Sequence, residues 1–200
     1  WRYLMKPLEY MSFGRAFKSV LSGVTLSINT PNRIGEYGGR MLYVGEGHKL
    51  KSISLSILGS ISQLIITLIL GSIGLYYLLY FLIPAEETIM GLSRFWIRVM
   101  LIITGFFTIG LLVFFFRMPW LIRLTERIPV AQKTLPYIRA LTQFDIKLLL
   151  SLLLISLFRY IIFILQYLLL WKVTGVDIPM ISGAWLIAIL FLVMAIVPSF

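Results

Sequence analysis

Between Asn29 and Arg40 the chain reads NTPNRIGEYGGR, and here the side chains capable of chemistry gather. Arg33 and Arg40 offer planar forks of donors that match a phosphate or a carboxylate. Glu36 stands three residues after Arg33 and four before Arg40, so on a helix it can hold either guanidinium in place. Thr30-Pro31 suits a helix start, with Thr30 as N-cap and Pro31 at the first helical position. Such an end presents free N–H groups and partial positive charge, which favours phosphate. Gly35, Gly38 and Gly39 let a backbone or a headgroup come close. The chemistry expected is therefore anion binding; the plain alternative is a polar turn with a surface ion pair.

A second candidate is Arg159, midway along the otherwise uncharged run Leu148–Trp171. A mid-span arginine costs on the order of 3 kcal/mol, and such residues usually face a bundle interior or a watery cavity. Gln166 shares its face, seven residues on. Arg159 binds an anionic group, or pairs with a carboxylate or carbonyls to hold helices together, or, with a shift in register, lies close enough to the interface to snorkel. Other reactive groups are scarce. There is no cysteine, and His48 is the only histidine, so zinc sites and a Ser-His-Asp triad are not expected. Glu86 and Glu87 are adjacent, and on a helix they diverge by about 100°. No metal, no cofactor and no catalysis is implied.

The elements that must position these residues are apolar. Of the 200 residues 60% are hydrophobic and 13% charged, far from the roughly 25% charged residues of a soluble domain. Long runs nearly free of charge lie near 52–83, 99–116, 148–171 and 178–200. Each is long enough to span a bilayer as a helix, and a backbone in lipid must satisfy its own hydrogen bonds. The expected fold is all-α: a polytopic membrane protein of about four spanning helices, with a re-entrant or broken N-terminal element and a broken C-terminal end. Residues 1–200 read as a single transmembrane domain. The chain starts at Trp1 and stops at Phe200 without a polar tail, which suggests a fragment of something longer. The 32-residue run Ser52–Ile83 exceeds one upright span, so tilt, a break or partial interfacial placement is expected. Ser52, Ser56, Ser60, Gln63, Thr67, Gly71 and Gly74 fall on one face of it, as a helix-packing stripe would.

The net charge of +10 reports cytoplasmic loops and anionic headgroups rather than nucleic acid. Loops 31–51 and 117–147 are basic, while Pro84–Arg98 and Lys172–Met180 are balanced. The basic pair is therefore placed on the cytoplasmic side of the inner membrane. Trp1–Lys18 is also basic, so Ser19–Thr30 lies between two cytoplasmic segments. As helix it reaches only about 18 Å at 1.5 Å per residue, which favours re-entrance. A full span from about Met11, with Arg15 and Lys18 snorkelling, is the competing reading. Within 117–147, Trp120, Leu121, Leu124 and Ile128 have helical spacing; this suits either a short interfacial helix or a solvated basic linker.

The run Asn29-Thr-Pro31-Asn-Arg33-Ile-Gly35-Glu36-Tyr-Gly-Gly-Arg40 resembles the N-x-x-P-x-R-x-G-E-x-x-R signature of the lysylphosphatidylglycerol synthase transmembrane region family. These are flippase-like polytopic membrane proteins. A second family motif opens on a proline after a hydrophobic run, where this chain has Pro198. Gly59-Ser60-Ile61-Ser62-Gln63 departs from the Glu-Arg pair that members often carry there. The resemblance implies lipid handling: Asn29, Pro31, Arg33, Gly35, Glu36 and Arg40, with Pro198, would bind an anionic phospholipid or lipid-linked headgroup and help it across the bilayer. A membrane-embedded lipid-modifying transferase and a non-catalytic assembly subunit are the alternatives.

Overall fold

In the computed structural model, residues 1–6, 8–30, 34–82, 93–125 and 146–196 are described. Their regular structure is helical, with no strand among them. The helices are α1 (Arg2–Met5), α2 (Phe13–Ile28), α3 (Gly35–Met41), α4 (Lys49–Tyr77), α5 (Arg94–Thr125), α6 (Ile146–Val173) and α7 (Met180–Ile196). Three helical stretches, Glu46–Leu82, Arg94–Arg117 and Ile146–Val173, are long and apolar enough to cross a membrane, and Met180–Ile196 is a shorter apolar helix. The architecture is that of a polytopic helical membrane protein, with three full-length candidate spans where the sequence suggests four. Of the fourth run, Ile178 and Pro179 precede the helix and residues 197–200 lie outside the described residues; the Gly183 N–H donates to the Pro179 carbonyl at 2.8 Å and closes the first turn.

Local chemistry explains the ends. Ser12 caps α2, its Oγ accepting from the Arg15 N–H at 3.4 Å, as N-cap serines do. Gly175 ends α6 at φ 78°. There the Val176 N–H reaches the Trp171 carbonyl at 2.9 Å and the Gly175 N–H reaches Lys172 at 3.3 Å. That pair of bonds is a Schellman stop, which needs the left-handed backbone that glycine adopts without strain. The run Ser52–Ile83 forms an unbroken α-helix to Tyr77 and a π-helical turn at Leu78–Leu82. The 29 residues of α4 extend about 44 Å at 1.5 Å per residue, more than the roughly 30 Å of hydrocarbon. The backbone of α5 continues through Pro119 to Thr125, so the first part of the basic loop 117–147 is helical. Residues 126–145 of that loop lie outside the described residues.

The chain forms two compact units. The first takes in Trp1–Ile61; the second takes in the described parts of Ser62–Phe115 and Leu150–Val197. In the first, Leu4, Met5, Met11, Ala16, Val44, Leu55 and Leu58 are buried. In the second, Leu68, Leu75, Leu79, Ile97 and Leu192 form one buried cluster. Ile66, Tyr160 and Ala188 form another. Lipid gives no hydrophobic reward for helix contact, so close packing and interhelical hydrogen bonds must hold such a unit. Both are present. Gly71 faces Leu192 so tightly that a Cβ would lie 2.6 Å from the leucine Cβ, and Gly74 lies against Trp185 and Ile189. Ser62 bonds Ser156 at 3.1 Å, Ser72 donates to Thr104 at 3.3 Å, and Tyr77 bonds Ser182 at 3.3 Å. The small-residue stripe of α4 thus packs, as its spacing suggests, at Gly71 and Gly74.

Candidate functional site

Helix α3 lies back along α2, and the two form a hairpin whose crossing is built from small residues. Ala16, Ser19, Gly23 and Ser27 are the buried residues of α2, spaced along one helical face. A Cβ at Gly23 would stand 2.9 Å from the Glu36 carbonyl oxygen and 3.0 Å from the Arg40 Cγ. A Cβ at Gly39 would stand 2.6 Å from the Gly23 nitrogen. Real Cβ atoms do not come so near, so the backbones touch only because these positions lack one. Gly35 is equally confined, against Leu26 and Thr30, whereas Gly38 faces open space. Of the three glycines expected to let a backbone or a headgroup come close, Gly35 and Gly39 admit α2, and Gly38 faces open space.

The outer face of α2 is the reverse of a soluble helix. Phe13, Phe17, Leu21, Val24 and Ile28 are exposed, and steps of three and four put them on one stripe. Small residues inside and large apolar residues outside is the pattern of a helix in lipid, not in water.

Helix α3 begins at Gly35 with Ile34 as its N-cap residue, and the start expected at Pro31 falls outside the described residues. Thr30 still serves the turn: its hydroxyl donates to the Leu26 carbonyl at 3.0 Å and accepts from the Gly35 N–H at 2.8 Å. One hydroxyl thus satisfies a C-terminal carbonyl of α2 and the first N–H of α3, groups that helix ends leave open. Asn29 is exposed at the end of α2. Pro31, Arg33 and Pro198 lie outside the described residues.

Glu36 and Arg40 are brought together. Arg40 Nη2 donates to Glu36 Oε1 one helical turn away, and the Arg40 guanidinium lies over the Trp1 indole at 5.2 Å. Side-chain exposure is 14% for Arg40 and 27% for Glu36, so the pair is largely shielded and loses less to screening than a surface pair. Arg40 Nε is buried with no hydrogen-bond partner among the described residues. The helix end is also tied down, since Ser19 Oγ donates to the Arg40 carbonyl at 2.9 Å. Sequence spacing suggests the Glu36–Arg40 pairing. Nothing in the spacing shows Trp1 or the two-glycine crossing, which join residues far apart in the chain.

Arg159 is exposed on α6, its guanidinium lying over the Phe163 ring at 5.3 Å. Gln166 is exposed as well. The residues of α6 that turn inward are Leu149, Leu152, Ser156 and Tyr160, and Arg159 falls off that stripe. Among the described residues no three of His, Asp and Glu come together in a group able to hold a metal. Compared with models of known protein families, with curated proteins and with solved structures, the chain matches none.

Proposed function

We propose that this chain is a flippase-like protein of the cytoplasmic membrane, with loops 31–51 and 117–147 on the cytoplasmic side. It binds an anionic lipid or lipid-linked headgroup at the α2–α3 hairpin and carries it between leaflets. The observation that carries the reading is the Glu36–Arg40 pair, fixed at a glycine crossing whose outer face is built for lipid. A guanidinium already oriented by a carboxylate and an indole loses little freedom on binding. The guanidinium fork is the donor geometry that matches an oxyanion. Open space at Gly38, on the same short helix, gives a headgroup room. The resemblance of Asn29–Arg40 to the flippase-like signature points the same way and brings in Asn29, Pro31, Arg33 and Pro198.

The test is translocation of a fluorescent phosphatidylglycerol analogue in vesicles reconstituted with the full chain. Wild-type protein accelerates exchange between leaflets. Arg33→Gln and Arg40→Gln each slow it about tenfold or more, the effect of roughly 1.4 kcal/mol, with the thermal unfolding midpoint showing that the hairpin persists. Wild-type rates in both variants would reject the carrier role.

A further inference from the structure

Apart from the Glu36–Arg40 pair, the first unit holds a concavity of about 640 Å³ lined by Arg2, Tyr3, Lys6, Glu9, Tyr10 and Met11. That volume lies within the range of small-molecule sites, roughly 300–1,000 Å³. Its charges are mixed and uncompensated. Among the described residues the ion pairs are Glu36–Arg40 and Glu46–Lys49, so neither Arg2 nor Lys6 has a carboxylate partner there. Arg2 is nonetheless positioned, its guanidinium lying over the Tyr10 ring at 5.8 Å. Glu9 is held from the other side: its Oε2 accepts from the Gly45 N–H at 3.2 Å, while Oε1 is buried without a hydrogen-bond partner. The carboxylate is therefore anchored by backbone, and among the described residues neither cation of this wall forms an ion pair with it.

A ligand that matches this wall must carry both signs. An oxyanion answers Arg2 and Lys6, and a phosphate, with several oxygens, can engage a guanidinium fork and an ammonium together. A cationic N–H donor answers Glu9. The exposed rings of Tyr3 and Tyr10 add aromatic faces, which attract ammonium groups. A purely anionic ligand would meet Glu9 as a repulsion, and a purely cationic one would meet Arg2 and Lys6. We infer that this concavity binds a phosphate that carries a primary ammonium, a phosphoethanolamine group.

Such a group comes either as a phospholipid headgroup or as the free soluble compound, and the experiment separates the two. Full-length protein in phosphatidylcholine nanodiscs is titrated with soluble phosphoethanolamine and with inorganic phosphate by calorimetry. In parallel, nanodiscs doped with phosphatidylethanolamine or phosphatidylglycerol are compared by competition against a spin-labelled phosphatidylethanolamine. The amine-bearing ligand is expected to bind about tenfold more tightly than its amine-free counterpart, in the lipid arm, the soluble arm or both. Glu9→Gln, which keeps an oxygen for the Gly45 N–H, abolishes that preference while phosphate or phosphatidylglycerol still binds. Lys6→Gln, at an exposed position, weakens every phosphate-bearing ligand without moving the unfolding midpoint. Equal affinity for amine-bearing and amine-free ligands, or a preference that survives Glu9→Gln, overturns the assignment. It does not depend on the carrier role of the hairpin, because its readout is equilibrium binding and its variants leave Glu36 and Arg40 intact.

Discussion

Gly39 and Gly23 meet where α3 crosses α2, with room for no side-chain atom: a Cβ on Gly39 would stand 2.6 Å from the Gly23 nitrogen. The crossing fixes where Glu36 and Arg40 lie, since both flank Gly23 on the α3 side.

Gly39→Ala is expected to destabilise the protein by about 1–3 kcal/mol, the usual effect of overpacking, because the atoms it meets belong to backbone and cannot swing away. Gly38→Ala is the internal comparison. It faces open space in the middle of a helix, where alanine is favoured over glycine by roughly 0.5–1 kcal/mol. Chemical unfolding in detergent should move the two variants in opposite directions.

Glu36 and Arg40 should be energetically coupled. A double-mutant cycle with Glu36→Gln and Arg40→Gln is expected to give an interaction energy of about 1 kcal/mol or more, above the 0.3–0.5 typical of exposed helical pairs. The partial burial of both side chains is the reason. A coupling near zero would mean that the pair is no better than a surface contact.

The outer stripe of α2 should be closed to water. The chain has no cysteine, so single substitutions Leu21→Cys and Val24→Cys report cleanly. In reconstituted vesicles neither should react with a membrane-impermeant maleimide, whereas Ser12→Cys and Gly45→Cys should react from one and the same side. Labelling of residues 12 and 45 from opposite sides would reject a re-entrant hairpin in favour of a full span.

Gly71→Ala should strain the second unit, since its Cβ would lie 2.6 Å from the Leu192 Cβ. An effect of about 1–3 kcal/mol is expected. Leu192→Ala shortens the side chain but keeps that Cβ, so the double variant should recover only the part of the strain that comes from the leucine's outer atoms. A thermal melt of the four proteins gives the comparison.

Much of this architecture is legible in the residues. Charge-free runs locate α4, α5 and α6, because lipid tolerates few charges and demands helices. The stripe ending in Gly71 and Gly74 marks a packing face because only small residues let helices approach. What stays hidden depends on which neighbour occupies which face. Gly35, Gly38 and Gly39 have the same chemistry, yet two touch α2 and one faces open space. The spacing within Asn29–Arg40 does not distinguish them. Arg159 is read inward because charge in a span is costly, but its place on the α6 stripe puts it over Phe163 on the exposed side. Thr30 has the composition of an N-cap, and its hydroxyl bridges two helix ends across the turn.

The hydroxyls along α4 carry a last implication. Ser52 donates to Lys49, Ser56 to Ser52, Ser60 to Ser56 and Thr67 to Gln63, each into a carbonyl about one turn back along the same helix. Each hydroxyl thus spends its hydrogen inside the helix and keeps none for a visitor. A row of this kind can solvate a cation or a water's protons, but it offers a phosphate nothing to hold. Any negatively charged traveller would find nothing to grip on these hydroxyls, and its foothold would have to come from guanidinium and ammonium groups, with Lys49 and Lys51 standing only at the start of this helix.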